Sequence, residues 1–185
     1  MRGKSTAVLA LLVMAGVFLL PGCGAEVDKS EVEQAANPVK SMHQEVRNRL
    51  QAEEDRVQWY KYEDAVALAR KENKFVMVDF YATWCKWCKK FEAGTITDPE
   101  VAETMKEGFV AVRLDAESST KVVHEMRQMT AFELADIYEV KTFPTIWFIA
   151  PDGSRAKRLD GYLEPKDFNN YLKYIRSGAY REREF

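Results

Sequence analysis

Apolar residues recur every three or four positions after Trp59, and this period predicts an amphipathic helix that ends near Asn73-Lys74. The residues in this pattern are Trp59, Tyr62, Ala65, Val66 and Ala69. The next segment, Phe75–Tyr81, is apolar except for Asp79, which is typical of a central strand buried on both faces. The part of the chain that is predicted to fold therefore opens with a helix and a buried strand.

Further helices and strands are predicted along the rest of the chain. Apolar spacing and capping residues place helices at Cys85–Phe91, from Asp98-Pro99 onward, from the capping box Thr130–Glu133 to about Tyr138, and at Pro165–Arg176. Strands are predicted at Phe109–Leu114 and in a hairpin of Ile146–Ala150 with Ala156–Leu159. This mixture of helices and strands predicts an α/β layer sandwich with a mixed central sheet.

The front of the chain has the pattern of an export signal. Arg2 and Lys4 precede an uncharged apolar run, Thr6–Leu20, which is shorter than the about 20 residues that a membrane-spanning helix needs. We therefore expect residues 1–22 to be a signal peptide that takes no part in the fold.

The first cysteine ends a short motif at this boundary. Leu20-Pro21-Gly22-Cys23 resembles the lipobox of bacterial lipoproteins, in which the signal is cut before a lipidated cysteine. The resemblance implies that Cys23 carries acyl chains and tethers the protein to a membrane. The alternatives are a plain secretory signal cut near Gly22 or Gly24, and an uncleaved anchor.

Residues 23–57 are expected to connect the lipidated terminus to the domain at residues 58–185. Between Gly24 and Val57 there is no aromatic residue, and acidic residues outnumber basic ones eight to five. The front half of this stretch is predicted to be a flexible spacer, because it has too little apolar area to offset its chain entropy. After Pro38, helical spacing predicts a short amphipathic helix with the apolar positions Met42, Val46 and Leu50.

Composition narrows the function only by exclusion. The chain has 185 residues, 46% of them hydrophobic and 30% charged, which fits one domain with an appendage. A net charge of −2 gives no basic footprint for a nucleic acid, so we expect no nucleic-acid partner. The chain has three cysteines, and this odd number requires an explanation in an exported protein.

The second and third cysteines, Cys85 and Cys88, stand three positions apart where the buried strand gives way to a helix. Cysteines at this spacing can close a small disulfide ring. A helix N-terminus lowers the pKa of a thiol from about 8.5 into the range of about 3.5 to 7.5. Lys86 adds a positive charge nearby. Cys85 is therefore predicted to be a nucleophile and Cys88 its resolving thiol.

The segment Val78–Lys89 (VDFYATWCKWCK) resembles the active-site segment of the thioredoxin superfamily, and Thr142–Thr145 (TFPT) resembles its cis-proline loop. Glu72–Lys74 and Phe91-Glu92 are similar to the C-terminal domains of DsbD-type thiol:disulfide interchange proteins and to related periplasmic thioredoxin-like lipoproteins. The resemblance covers about Trp59–Ile175. It implies a thioredoxin-like three-layer sandwich, and we expect neither a cofactor nor a metal.

The resemblance also implies roles for individual side chains. Asp79 matches the buried acid that exchanges a proton with the resolving cysteine. Burial in an apolar strand raises the pKa of a carboxyl, so such an acid can exchange protons near neutral pH. A capping or core aspartate is the alternative interpretation. Arg113 lies where thioredoxins often have a lysine that pairs with this acid. The residues expected to contact substrate are Trp84, Lys86, Trp87, Thr142, Phe143 and the cis-proline Pro144. For Trp87, half-buried packing is the alternative.

Compared with the simplest thioredoxins, Ala116–Met129 is an insertion before the cis-proline loop. Several of its residues fall at helical spacing and are expected to form a packed helical face. They are Val122, Val123, His124, Met126 and Met129.

Three functions are compatible with these residues. The first is a membrane-tethered thiol-disulfide oxidoreductase whose partners are disulfide-bearing proteins and a thiol electron donor. It would be lipid-anchored in a bacterial envelope and face the periplasm, and Gly24 after Cys23 favours the outer membrane if the cell has two. The second is a Cu(I) metallochaperone that uses Cys85 and Cys88 with His124 or methionines of the insertion. The third is a binding module with a vestigial CxxC.

Overall fold

The computed structural model describes residues 29–54 and 56–185. The predicted signal peptide, residues 1–22, and the predicted lipidation site, Cys23, lie outside the described residues. The chain divides into two compact units, and the boundary between them falls at Glu45 and Val46.

The first helix, α1, runs from Lys29 to Glu54 and contains Pro38. It begins before that proline, where the sequence predicted a flexible spacer, and the stretch is rich in Ala, Glu and Gln, which are good helix formers. The apolar positions after the proline are about half exposed: Val39, Met42, Val46 and Leu50. Across the described residues, no helix combines the length and the hydropathy needed to cross a membrane.

Five strands form the main sheet. They are β1 (Trp59–Tyr60), β2 (Phe75–Tyr81), β3 (Phe109–Asp115), β6 (Thr145–Ile149) and β7 (Arg155–Asp160). The strands β4 (Lys121–His124) and β5 (Arg127–Thr130) pair with each other as a separate hairpin. The sheet has the order β1-β3-β2-β6-β7, in which β1, β2 and β3 are parallel and β6 and β7 run antiparallel to their neighbours. The predicted mixed sheet is therefore confirmed.

Helices cover both faces of this sheet. They are α2 (Tyr62–Glu72), α3 (Lys86–Lys90) with a π-helical continuation (Phe91–Thr95), α4 (Pro99–Gly108), α5 (Ala131–Ile137), α6 (Pro165–Arg176) and a 3₁₀ turn (Ala179–Arg181). The capping box predicted at Thr130 and Glu133 is present, and Asp98 caps α4 as predicted.

Alternation along β2 divides the core into two layers. Val76, Val78 and Phe80 pack with α2 and α5 on one face. Met77 packs on the other face with residues of α4, α6 and the π-helical turn. Asp79 stands two positions after Met77, so it belongs to the second face. The expected three-layer sandwich is present, and the CxxC segment begins where its central strand ends.

Two local predictions were wrong. Trp59 and Tyr60 were placed in a helix, but they pair with Ala111 and Val112 as an edge strand, which is a non-local contact. The insertion was expected to be a packed helical face, but it forms the β4–β5 hairpin with positive φ at its turn residues Glu125 and Met126. The packing itself is present, because Val122 and Met129 lie against the core. In a strand, buried and exposed side chains alternate with a period of two residues, and not with the helical period.

Candidate active site

A disulfide bond joins the two cysteines of the CxxC segment, and their Cα atoms are 5.3 Å apart. Cys85 is the residue before α3, and Cys88 lies inside that helix. The Cys88 amide N–H donates a hydrogen bond to Cys85 Sγ at 3.0 Å. Both cysteines are buried, but Cys85 is 4% exposed and Cys88 only 1%. An incoming sulfur atom therefore reaches Cys85 more readily than Cys88.

Asp79 is a carboxylic acid inside the core, on the strand that leads to the cysteines. Its side chain is 1% exposed. Desolvation raises the pKa of Asp79 to about 7; Arg113 acts in the lowering direction and Glu92 in the raising direction. A carboxyl with that pKa can take up and release a proton near neutral pH.

Arg113 stands beside Asp79 because the two are register partners in the parallel pair of β2 and β3. Arg113 Nε lies 3.4 Å from Asp79 Oδ2, and its NH1 group contacts Glu92 Oε1. The guanidinium also lies over the Tyr81 ring, 4.3 Å from its centroid. Among the described residues, Asp79 Oδ1 and Arg113 Nε are buried without a hydrogen bond. Arg113 is therefore shared between two carboxylates.

The predicted cis-proline loop packs beside the disulfide. The Phe143-Pro144 peptide bond is cis, as the resemblance implied. The Phe143 side chain packs against the small cluster that contains Cys85 and Cys88. This contact brings the loop and the CxxC segment together.

Hydrogen bonds hold the loop from within and leave one residue unpaired. Thr145 Oγ1 donates to the Thr142 carbonyl at 2.7 Å, and the Gly161 amide donates to the Pro144 carbonyl at 2.8 Å. Within residues 29–54 and 56–185, neither the N–H nor the C=O of Phe143 takes part in a hydrogen bond. These two groups are available to an extended peptide.

Trp84 forms one flank of the CxxC segment. Its ring meets Phe143 edge-on, with centroids 5.7 Å apart, and its Nε1–H donates to Glu117 Oε2 at 3.0 Å. The side chain nevertheless remains 64% exposed. Trp84 is thus held in place while most of its surface faces solvent.

Trp87 forms a second flank, supported by a different set of residues. Its ring lies 5.4 Å from the Tyr162 ring, and Lys90 Nζ lies over both rings. Glu164 fixes this arrangement, because it accepts from Lys90 Nζ at 2.7 Å and from the Tyr162 hydroxyl at 2.8 Å. Trp87 is 57% exposed. Trp87 therefore packs against Tyr162 and still leaves more than half of its side chain open to a partner.

The metal-binding alternative gains no support from the insertion. A hydrogen bond of 2.8 Å joins His124 Nδ1 and the Tyr62 hydroxyl, and the His124 ring packs against Tyr138. Met126 stands at the tip of the hairpin and is 97% exposed. In the described part of the chain, no group of three or more metal-ligating His, Cys, Asp or Glu side chains occurs.

Sequence reasoning gave no role to three residues that shape this site. Glu92 contacts Arg113, Glu117 holds Trp84, and Tyr162 supports Trp87. The resemblance had singled out Glu92 without a function. The contacts of Glu117 and Tyr162 join distant parts of the chain and leave no local signal.

Residues 62–176, more than half of the chain, match the thioredoxin-like domain family. The chain belongs to this family. Its relatives include the thiol:disulfide interchange protein DsbD of Vibrio vulnificus (strain CMCP6), 35% identical over 112 residues, and protein disulfide-isomerase A3 of Gallus gallus, 34% identical over 110 residues. These matches cover 60% and 57% of the chain but only 17% and 18% of the relatives, so they concern one domain of much longer proteins.

A solved structure of a thioredoxin-fold protein from Helicobacter pylori supports the same fold. It superposes with a TM-score of 0.55 at 26% identity and covers 61% of this chain and 75% of that one. The thioredoxin-like family and its similarity to DsbD, both expected from the active-site segment, are confirmed.

Proposed function

We propose that the protein is a thiol-disulfide oxidoreductase that reduces disulfides of proteins in a bacterial cell envelope. The observation that carries this proposal is the Cys85–Cys88 disulfide at the end of a strand that also holds a buried acid with a pKa near neutrality. The alternative of a binding module with a vestigial CxxC does not account for that acid, since a binding module has no use for it.

The reaction begins with the reduced pair. The Cys85 thiolate attacks one sulfur of the client disulfide, forms a mixed disulfide and releases the other client sulfur, which takes a proton. Cys88 then loses its proton, and its thiolate attacks Cys85 Sγ. The Cys85–Cys88 disulfide forms, and the second client sulfur leaves as a thiolate, which takes up a proton. Two electrons pass from the protein to the client, and a thiol donor returns the pair to its reduced state.

Asp79 has a role in the second step. Its pKa of about 7 suits a group that accepts the Cys88 proton near neutral pH. Arg113 and Glu92 act through Asp79 and are positioning residues, because Arg113 lies against Asp79 and Glu92 contacts Arg113.

The cis-proline loop has the second role, which is to hold the client. An extended client segment would pair with the free main-chain groups of Phe143, while Trp84 and Trp87 flank its cysteine. Thr142, Lys86 and Pro144 complete this contact surface. Cys23 would carry the lipid that tethers the domain to the membrane, facing the periplasm, with residues 23–57 as the connection.

Reduction of insulin by dithiothreitol tests the activity. We expect the protein to accelerate the reaction and Cys85→Ser to return it to the uncatalysed rate, with Asp136→Asn, a change of an exposed acid, as the matched control. Equal rates with and without the wild-type protein would reject the proposal. Metabolic labelling with palmitate, comparing Cys23→Ala with wild type, tests the tether separately.

A further inference from the structure

The charged residues around the CxxC segment divide into two groups. Three acidic side chains near it are each engaged by another side chain. These pairs are Glu92 with Arg113, Glu117 with Trp84, and Glu164 with Lys90. These three acids therefore have partners within the fold.

Two lysines beside the disulfide have no such partner. Lys86 and Lys89 are exposed, and in the part of the chain that the structure describes neither forms an ion pair. They stand three positions apart on α3, a spacing that places side chains side by side on a helix. The chain as a whole has a net charge of −2, so these two lysines form a positively charged site on a weakly acidic protein.

Two large aromatic side chains also flank the CxxC segment. Trp84 and Trp87 are 64% and 57% exposed, and each is braced from behind, by Phe143 and by Tyr162. Braced and exposed indoles lose little conformational entropy on binding and are frequent in the centres of protein interfaces. We call these four exposed side chains around the disulfide, Trp84, Lys86, Trp87 and Lys89, the lysine face.

We propose that the lysine face binds a polypeptide segment that carries acidic residues next to its cysteine. This inference rests on the proposed oxidoreductase function and adds the chemistry of its client. Acidic side chains on the client supply the partners that Lys86 and Lys89 lack, while the indoles cover apolar surface around the sulfur. Opposite charges also speed the encounter, and this effect weakens as salt increases.

Single-turnover reduction of matched peptides tests the inference. The reduced full-length protein is mixed with disulfide-linked fluorescent peptides that differ only at the residues flanking the cysteine, which are Glu, Gln or Lys. At about 20 mM salt we expect the Glu peptide to react about tenfold faster than the Lys peptide, and at about 500 mM salt less than about twofold faster.

Variants locate the preference on the lysine face. Lys89→Gln is expected to reduce the ratio of Glu-peptide to Lys-peptide rates by about threefold. Lys86 is less suitable for this test because it lies between the cysteines and its replacement also alters their reactivity. Lys71→Gln is the matched control. Lys71 is an exposed lysine at the end of α2 beside the start of β2, whereas the cysteines follow the other end of that strand.

The outcomes separate this inference from the proposed function. Equal rates for all three peptides, each above background, would overturn the acidic client and leave the oxidoreductase standing. No reduction of any peptide would overturn both. Binding to phosphatidylglycerol vesicles that is lost in Lys89→Gln, together with equal peptide rates, would assign the lysine face to an anionic membrane and overturn the inference.

Discussion

The two sides of the Cys85–Cys88 pair differ in almost every physical respect. On the inner side, Asp79 is buried, its pKa is raised, and Arg113 lies against it in the sheet. On the outer side, Trp84 and Trp87 are more than half exposed and are held by contacts from separate loops and helices.

This difference separates the chemistry from the recognition. The inner side depends on low polarity, where a single charge changes proton affinity strongly, so its effects should be large and sensitive to pH. The outer side is wet, where each charge or ring contributes a small amount, so its effects should be moderate and sensitive to salt. The following changes test this division.

The largest effect is expected from Cys88→Ser on the inner side. The variant can attack a client but cannot release it, so repeated turnover should fall about a thousandfold while a mixed disulfide through Cys85 accumulates. Mass spectrometry of the intact protein after mixing with insulin measures this adduct. Trp87→Ala, one position away but on the outer side, should keep turnover within about tenfold of wild type. Near-normal turnover of Cys88→Ser would contradict the assignment of the resolving cysteine.

The next effect is on stability. The folded protein keeps Asp79 protonated up to a pKa of about 7, whereas an unfolded chain releases this proton near 3.8. The folded state therefore binds more protons between these values, and the free energy of unfolding should fall as pH rises through this window, by about 4 kcal/mol from this group alone.

Urea denaturation of the oxidised protein from pH 4 to pH 8 measures this slope. Asp79→Asn should remove most of it and make the protein more stable than wild type at pH 8. The exposed Asp136, changed to Asn, should leave the slope as it is. A wild-type slope that survives in Asp79→Asn would show that another group causes it.

A smaller effect, on the pH dependence of activity, is expected from changes at Arg113 and Glu92. The two changes should shift the pH profile in opposite directions. Arg113→Gln removes the charge that lowers the pKa of Asp79, so the rise of activity with pH should move to higher pH. Glu92→Gln removes a charge that raises this pKa, so the profile should move to lower pH. At pH 7 the rate of Arg113→Gln should fall by about threefold, whereas the rate of Glu92→Gln should rise by no more than about twofold, because about half of Asp79 is already ionised at its pKa of about 7. Parallel shifts in the two pH-rate profiles would refute this arrangement.

The smallest effect is expected on the outer side. Trp84→Ala should raise the KM for a protein client about threefold and change kcat little, because the ring contributes contact area and not proton transfer. Glu117→Gln retains an acceptor for Trp84 Nε1, so its KM should match that of wild type. Glu117→Leu removes the acceptor, so its KM should lie between those of wild type and Trp84→Ala. A large loss of kcat in Trp84→Ala would place this ring in the chemistry and would erase the division.

The parts predicted correctly from the sequence depend on neighbouring residues. The apolar run that forms β2, the capping box at Thr130 and the cysteine spacing are all readable within a few positions. The position of Asp79 within its strand was equally visible. These features follow from local periodicity and capping chemistry, which act before distant segments meet.

The parts that sequence reasoning missed depend on contacts across the fold. Trp59 continues a helical pattern yet pairs with β3, because an open sheet edge offers its backbone hydrogen bonds. The β4–β5 hairpin was not predicted, because its apolar residues fit the helical period of about three and a half residues as well as the strand period of two. Glu117 reaches Trp84 from 33 positions away, so no spacing could have linked them.

The pairing of Asp79 with Arg113 has a consequence for how this chemistry can persist as sequences change. The two residues sit opposite each other in a seven-residue parallel ladder, and all seven pairs would shift together. A slip of one residue would send Asp79 and Arg113 to opposite faces of the sheet and would expose the core residues of β3. The packed core therefore keeps positions 79 and 113 side by side in the sheet, whatever the lengths of the surrounding loops.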